Sequence, residues 1–388
     1  MPRPIDSRDL LKHLVAFDTT SRNSNLDLIA FVQDFLDRLG ISSDLVTNDD
    51  GTKANLFATI GPAERPGVVL SGHTDVVPVD GQGWSSDPFA LMERDDRFYA
   101  RGAADMKGFI AAVLETVPGL VDRRLDRPVH LAFSYDEEVG CKGVPSLLDH
   151  MIARLPVLPV GCIVGEPTGM RVANGHKGKA GYRCTVTGKA SHSALNHQGV
   201  NAVEIAAEIV AKLRGMNVDF RTHGPFVEGY DPPHCTVSTG MMNGGTALNI
   251  VPSSCTFAFE FRLLPGQDAE SLLAEIQTFA TTTLLPAMSA ISKEASIEWH
   301  ELMSYPALGS DGDAPLERLA SALTDTVLPV KLSFGTEAGH FASRGVPSIV
   351  CGPGHMDVAH KPDEYVDRQQ LDACSAFLGD VIDELSAL

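Results

Sequence analysis

The sequence predicts an α/β fold interrupted by a smaller α+β block, and three observations carry that prediction. Up to about residue 178, strand-like and helix-like apolar runs alternate. Over 180–292 the order becomes strand, helix, strand, strand, strand, helix, and after Tyr305 the alternation returns. Alternation implies a largely parallel, helix-flanked sheet, so the middle block reads as an insertion into one domain. The expected division is residues 1–179 with 293–388 for the interrupted domain and 180–292 for the insert.

The elements follow in order. Leu10, Leu11, Leu14 and Val15 recur at helical spacing and predict a helix over 7–16, with a second over 25–39. Apolar runs predict strands near 41–47, 54–59 and 67–71, a helix over 103–117, and strands near 129–134 and 160–164. In the insert, strands are expected at 181–187, 235–240, 246–251 and 255–263, with helices at 200–214 and 268–284. A last strand near 295–300 would complete a βαββαβ, ferredoxin-like plan. The closing stretch reads as a helix at 313–325, strands at 329–334 and 347–351, and a helix at 368–387.

Composition sets limits. At 388 residues with 44% hydrophobic content, the chain is too long for one ordinary domain and rich enough for real cores. Its net charge of −19, from 31 Lys+Arg against 50 Asp+Glu, argues against nucleic acid as a partner. Met1-Pro-Arg-Pro-Ile-Asp-Ser7 leads into the first helix without an apolar signal core. No run reaches the ~18 apolar residues of a membrane span. Seven scattered cysteines fit reduced thiols, among them Cys162, Cys184, Cys255 and Cys351 as small core residues, and imply a cytoplasmic location.

The informative polar residues stand at the ends of apolar runs. Ser71-Gly-His73-Thr-Asp75 follows the run 68–70, Asp105 precedes the run 109–117, Asp136-Glu137-Glu138 follows 129–134, and Gly165-Glu166-Pro167 follows 161–164. His355 and His360 follow the run 346–350. Singly, each has a plainer reading. His-x-Asp can be a solvated turn or a helix cap, Glu137-Glu138 an exposed acidic turn, Glu166 a loop carboxylate, and His360 beside Lys361 a surface residue. Recurrence weighs against those readings, because a parallel sheet brings such strand ends into one crevice.

Two histidines and three carboxylates suit zinc, or cobalt or manganese in its place, more than a thiolate site. Five ligands are too many for one catalytic zinc but enough for two ions that share a bridging carboxylate about 3.5–4 Å apart. Such a pair generates a nucleophile from water at neutral pH, and an unligated carboxylate nearby can carry its proton to a leaving nitrogen. Glu137, beside a ligand position, suits that task.

At these residues the chain resembles the dinuclear zinc amidohydrolases, a family that includes acetylornithine deacetylase, succinyl-diaminopimelate desuccinylase, aminoacylase and glutamate-releasing carboxypeptidases. The resemblance runs from Phe17-Asp-Thr-Thr-Ser21 to His360-Lys-Pro-Asp-Glu-Tyr365. It implies a zinc-peptidase-like catalytic domain with an inserted lid and dimerisation domain, hence a homodimer. It also implies that His73 and Glu166 ligate one metal, Glu138 and His360 the other, and that Asp105 bridges them. Asp75 would accept the second N–H of His73, and Glu137 would be the general base. The spacing to Tyr365 favours His360 over His340 and His355.

Within the family, Gly72-His-Thr-Asp-Val-Val-Pro-Val79, Gly335-Thr-Glu-Ala338 and Gly352-Pro-Gly…Ala-His-Lys-Pro-Asp-Glu-Tyr365 are most similar to the acetylornithine deacetylase group. That similarity implies removal of acetyl from N2-acetyl-L-ornithine in arginine biosynthesis. The alternatives are a desuccinylase, aminoacylase or dipeptidase with the same chemistry, and a non-catalytic protein that binds N-acyl amino acids. In the insert, His192 (Gly188-Lys-Ala-Ser-His192) reads equally as part of a helix-capping turn, and Arg262 as a strand-end surface residue. The resemblance makes His192 an oxyanion donor that reaches across a dimer, and Asn249 with Arg262 the grip on the substrate carboxylate.

Overall fold

The apolar run ahead of His73 folds as a strand covered on both faces. In the computed structural model, which describes residues 6–385, the first part of the chain forms α1 (Ser7–Val15), α2 (Leu26–Arg38), β1 (Ser43–Thr47), β2 (Ala54–Ile60), β3 (Val68–His73), β4 (Met92–Arg94) and β5 (Arg97–Tyr99). A π-turn at Ala103–Lys107 leads into α3 (Gly108–Val121), then β6 (Val129–Ser134), α4 (Val144–Arg154), β7 (Gly161–Val164) and β8 (Ala173–His176). Next come β9 (Gly178–Thr187), α5 (Ala202–His223), β10 (Thr236–Gly244), β11 (Ser254–Leu263), α6 (Ala269–Phe279), α7 (Leu285–Ile291) and β12 (Ser296–Tyr305). The chain ends with β13 (Leu308–Gly309), α8 (Pro315–Leu323), β14 (Val330–Leu332), α9 (Ala338–Ser343), β15 (Ser348–Val350), β16 (Tyr365–Asp367) and α10 (Arg368–Glu384). Residues 1–5, read above for their lack of a signal core, and 386–387 of the closing helix lie outside the described residues.

The chain divides into two units, Met1–Gly175 with Leu308–Lys331 and Thr336–Leu388, and His176–Ala307 with Leu332–Gly335. The first is built on a nine-stranded sheet of order β1-β2-β6-β3-β7-β15-β8-β13, with β14 on β8. β3 runs parallel to both neighbours, and β15 runs parallel to β7. Every residue of β3, β6 and β7 is buried, which is why these strands read as continuous apolar runs rather than alternating ones. α1, capped by Asp6, buries Leu10, Leu11, Leu14 and Val15 in the same core as α3 and α10. Register aligns the strand ends: His73 faces Ser134 and Ser71 faces Val164. The segments 73–75, 135–138 and 165–166 therefore leave the sheet side by side.

The second unit is an antiparallel sheet of order β10-β11-β9-β12, the ferredoxin-like arrangement, with Cys255, Phe257, Phe259, Phe261 and Leu263 of β11 turned into its core. Its limits lie outside 180–292 because β9 starts at Gly178 and β12 pairs with it as far as Tyr305 opposite Lys179. One expectation fails. Residues 246–251 are not a strand; apart from buried Val251 they are an exposed loop between β10 and β11, held by a single antiparallel bridge of Ile250 to His192 rather than by the sheet. All seven cysteines are buried and free. Among the described residues no helix is long and apolar enough to cross a membrane.

Gly165 ends β7 immediately before Glu166, where a Cβ would stand 1.8 Å from Cγ of Phe109. Overpacking of this kind costs about 1–3 kcal/mol, and more where the backbone cannot yield. Gly165→Ala is expected to lower unfolding free energy by about 2 kcal/mol or more, read from the urea midpoint at unchanged slope.

Candidate metal centre

β3 delivers His73 as its last residue, and the following turn is tied to β6 by the Thr74 amide donating to the Ser134 carbonyl at 2.8 Å. The His73 side chain is 1% exposed, with Nε2 3.0 Å from Asp105 Oδ1 and 3.7 Å from Glu166 Oε1. Asp105 stands in the π-turn ahead of α3, at a residue with non-helical backbone angles, and its other oxygen, Oδ2, lies 3.1 Å from His360 Nε2. His360 Nε2 is also 3.1 Å from Glu138 Oε2. Asp105 therefore faces one imidazole with each oxygen, with Glu166 on the His73 side and Glu138 on the His360 side. Two sets of ligand atoms converge within 4.8 Å: His73, Asp105 and Glu138, and His73, Glu137 and Glu166.

Asp75 adjoins the His73 ring as expected and carries a second task besides. The nearer acceptor for His73 Nδ1–H is the Asp75 carbonyl oxygen at 2.9 Å, with carboxylate Oδ1 at 3.5 Å. The carboxylate also accepts from the Glu137 amide (3.0 Å), the Glu138 amide (3.3 Å) and Ser21 Oγ (2.7 Å), so it fixes the backbone that carries both glutamates. The Cys141 thiol donates to Glu137 Oε1 at 3.4 Å.

Burial disfavours charge here, and neighbours decide the outcome. For His73, burial opposes protonation, yet hydrogen bonds to Asp105 and Asp75 and the Glu166 charge raise its pKa well above the ordinary value. Hydrogen bonds to Asp105 and Glu138 push His360 up to about 10. Burial works against ionised Asp105, but hydrogen bonds from His360 and His73 prevail and hold its carboxyl below the usual range. Burial, then the Asp105 charge, raises Glu166 well above the ordinary value and Glu138 to about 7. Burial likewise raises Glu137, against the His73 charge and with that of Glu138. The metal-free centre thus holds its negative groups together with protons, and a divalent cation would replace them.

Three buried charged residues around the centre escaped the sequence reading. Glu337 accepts from Ser134 Oγ at 2.5 Å, and burial lifts its pKa to about 7. Lys107 Nζ donates to the Phe17 carbonyl at 2.9 Å, and burial brings it down to about 7. Glu364 accepts from the Ala104 and Asp105 amides at 2.9 and 3.1 Å. Glu337 and Glu364 both lie inside motifs quoted above, so the signal was present as residue type; their burial was not.

His192, Asn249 and Arg262 belong to the second unit. His192 is exposed and caps a short helical turn at Ser193–Gln198 by accepting from the Ala194 amide at Nδ1 (3.1 Å), whereas the helix expected to follow it, α5, is capped by Asn201. Asn249 is its neighbour, its carbonyl accepting from the Ser193 amide at 3.0 Å. Arg262 on β11 donates to Glu260 Oε1 at 3.0 Å and to the Tyr305 hydroxyl at 3.3 Å. His340 is buried on α9, where burial lowers its pKa to about 4, and His355 pairs with Gln370 at 2.7 Å; neither enters the two ligand sets.

The donor set fits divalent metal. Its atoms are imidazole nitrogens and carboxylate oxygens, the set that zinc, cobalt and manganese accept. Glu138 Oε1 is moreover buried without a hydrogen-bond partner, a cost that a bound cation removes.

Fold and centre together define a metal-dependent hydrolase. The chain belongs to peptidase family M20/M25/M40, whose model matches residues 69–384. It is similar to acetylornithine deacetylase of Myxococcus xanthus, at 34% identity over 96% of this chain and 95% of the relative. It is also similar to acetylornithine deacetylase of Pasteurella multocida, at 32% identity over 92% and 91%. An M20 family metallo-carboxypeptidase from Sulfolobus solfataricus shares the fold, with a TM-score of 0.76 at 16% identity over 99% of this chain and all of that one.

Because burial raises Glu138 to about 7 and hydrogen bonds raise His360 to about 10, metal uptake by these side chains at neutral pH has to displace the His360 proton and part of a proton from Glu138. Zinc affinity is therefore expected to rise with pH through neutrality, about tenfold per pH unit for each displaced proton. Calorimetric titrations in buffers of different ionisation enthalpy check this by measuring net proton release.

Proposed function

We propose that this chain hydrolyses N2-acetyl-L-ornithine to L-ornithine and acetate. The observation that carries the reading is Asp105, set between two imidazoles that each have a further carboxylate beside them, with Glu137 within reach of His73 and Glu166. The choice of substrate follows the two similar relatives, both acetylornithine deacetylases. Such an enzyme would serve arginine biosynthesis in the cytoplasm, a location that suits seven free thiols.

His73, Asp105 and Glu166 would hold one divalent ion and Asp105, Glu138 and His360 the other, zinc by preference with cobalt or manganese as substitutes. When bound, these ions supply a nucleophile from water at neutral pH and polarise the amide carbonyl. Glu137 takes the proton of the attacking water and gives it to the amide nitrogen as the C–N bond breaks. Cys141 occupies Glu137 Oε1, which leaves the other oxygen for that transfer. Asp75, by gripping the amides of Glu137 and Glu138, keeps base and ligand in register. His192 would steady the oxyanion of the tetrahedral intermediate. Asn249 and Arg262 would bind the substrate carboxylate, the guanidinium as a fork.

The carboxypeptidase neighbour motivates a second reading, the same mechanism on another acyl group or on a peptide. A panel of acetyl-ornithine, succinyl-diaminopimelate, acetyl-methionine and a dipeptide, assayed with zinc or cobalt, separates the two. Highest kcat/KM is expected for acetyl-ornithine, and no turnover of any member would leave a silent binding protein. On the best substrate, Glu137→Gln should retain the bound metal and lose about 100-fold or more in turnover. Near-wild-type turnover would remove Glu137 from the role.

A homodimer made through the second unit is part of this proposal. β10 is an edge strand of its sheet, and Met241 (73% exposed), Met242, Leu248 and Ile250 lie bare on it and on the loop that follows. Edges and apolar patches of this kind are what subunit contacts cover. If His192 serves the partner's centre, mixing His192→Ala with Glu137→Gln should restore activity after subunit exchange, since each mixed dimer regains one complete site. Equilibrated heterodimers without activity would place His192 in cis or outside catalysis.

A further inference from the structure

Of the proposed ligands His360 is the least sheltered. Its side chain is 46% exposed, and its φ of 61° lies in the left-handed region, which residues with a Cβ occupy only when neighbours hold them there. Its carbonyl oxygen accepts from Gln82 Nε2 at 3.1 Å. The Gln82 amide cannot be turned round, because Oε1 already accepts from Arg101 Nη2 at 2.6 Å and from Trp84 Nε1 at 3.0 Å, two groups that only donate.

Arg101 is buried, with its guanidinium 5.1 Å from the Trp84 ring centre, and its Nη1 donates to Glu364 Oε2 at 2.6 Å. Glu364 Oε1 in turn accepts from the Asp105 amide. A continuous path of charge-assisted and amide hydrogen bonds therefore joins the backbone of His360 to the backbone of Asp105. His73 is anchored separately, by β3 and by the Asp75 carbonyl.

We propose that Gln82 is a positioning residue for the metal position formed by Asp105, Glu138 and His360, holding the exposed histidine at its distance from the shared aspartate. The inference rests on the dinuclear reading given above. Gln82 touches neither substrate nor metal. Its Nε2 donates to His360 alone, so removing that donor while Oε1 still accepts from Arg101 loosens one position and leaves the Asp105 end of the path, and the His73 side, as they were. Partners that orient metal ligands from outside are worth about 10–100-fold in metal affinity.

The test titrates metal-free wild type and Gln82→Leu with zinc against a competing chelator, reading two dissociation constants and the melting temperature of each metal-free protein. Gln82→Glu is the second variant, since it keeps the acceptor for Arg101 and Trp84 and removes only the donor to His360. The expected result for Gln82→Glu is one position unchanged and the other weakened about 10–100-fold, while Gln82→Leu, which also strips Arg101 and Trp84 of their acceptor, weakens metal binding at least as much and lowers the melting temperature of the metal-free chain; the constants of Gln82→Glu decide. Two unchanged constants, or two weakened alike as a merely loosened fold would produce, overturn the inference while the dinuclear reading stands. A wild-type chain that takes up a single ion overturns that reading and this inference with it.

Discussion

The centre depends on an imbalance of charge: Asp105, Glu137, Glu138 and Glu166 are gathered around two imidazoles in a space largely closed to water. Buried like charges within a few ångströms of one another cannot all ionise without compensation. The raised carboxyl pKa values and the strongly protonated histidines are the metal-free chain's answer to that constraint. Metal ions answer it better, because they bring positive charge without occupying the lone pairs that catalysis needs. The outlying partners, Asp75 on two amides and Glu364 on two more, then serve to keep negative groups close that would otherwise separate.

Sheet register converts this local constraint into architecture. β3, β6 and β7 run parallel and end level, so three loops far apart in sequence deliver their side chains to one place. The tight approach of Gly165 to Phe109 shows how little slack the arrangement leaves. A side chain there would have to displace either the ring beneath it or the glutamate beside it.

Much of this was legible because parallel strands buried on both faces announce themselves as apolar runs, and the polar residue that ends each run then stands out. His73, Glu138 and Glu166 follow such runs, whereas Asp105 stands ahead of a helical run and His360 is singled out by its spacing to Tyr365 within a family motif; the structure brings the five side chains together. Less legible was anything fixed by tertiary context. Residues 246–251 have the composition of a strand but only one bridge, Ile250 to His192, and α4 and the small sheet of β4, β5 and β16 carry no continuous apolar run that predicts them. The hold of Asp75 on the Glu137 and Glu138 amides is likewise absent from the sequence pattern, because no side-chain pattern encodes where backbone amides point. The burial of Glu337, Glu364 and Lys107 depends on segments that meet them only after folding.

The wide separation of the ligands in sequence has a consequence for synthesis. His73 leaves the ribosome early and His360 near the end, so at about 5–20 residues per second a nascent chain carries the unfinished centre for some 15 to 60 s. During that interval the second unit can fold from its own contiguous strands, whereas β15 and α10 have yet to arrive. An acidic cluster without its last histidine is a weak and unselective trap for cations. With the proposed ligands, commitment to a particular metal would be deferred until His360 has emerged, when the available ions, rather than the order of translation, would decide what is loaded.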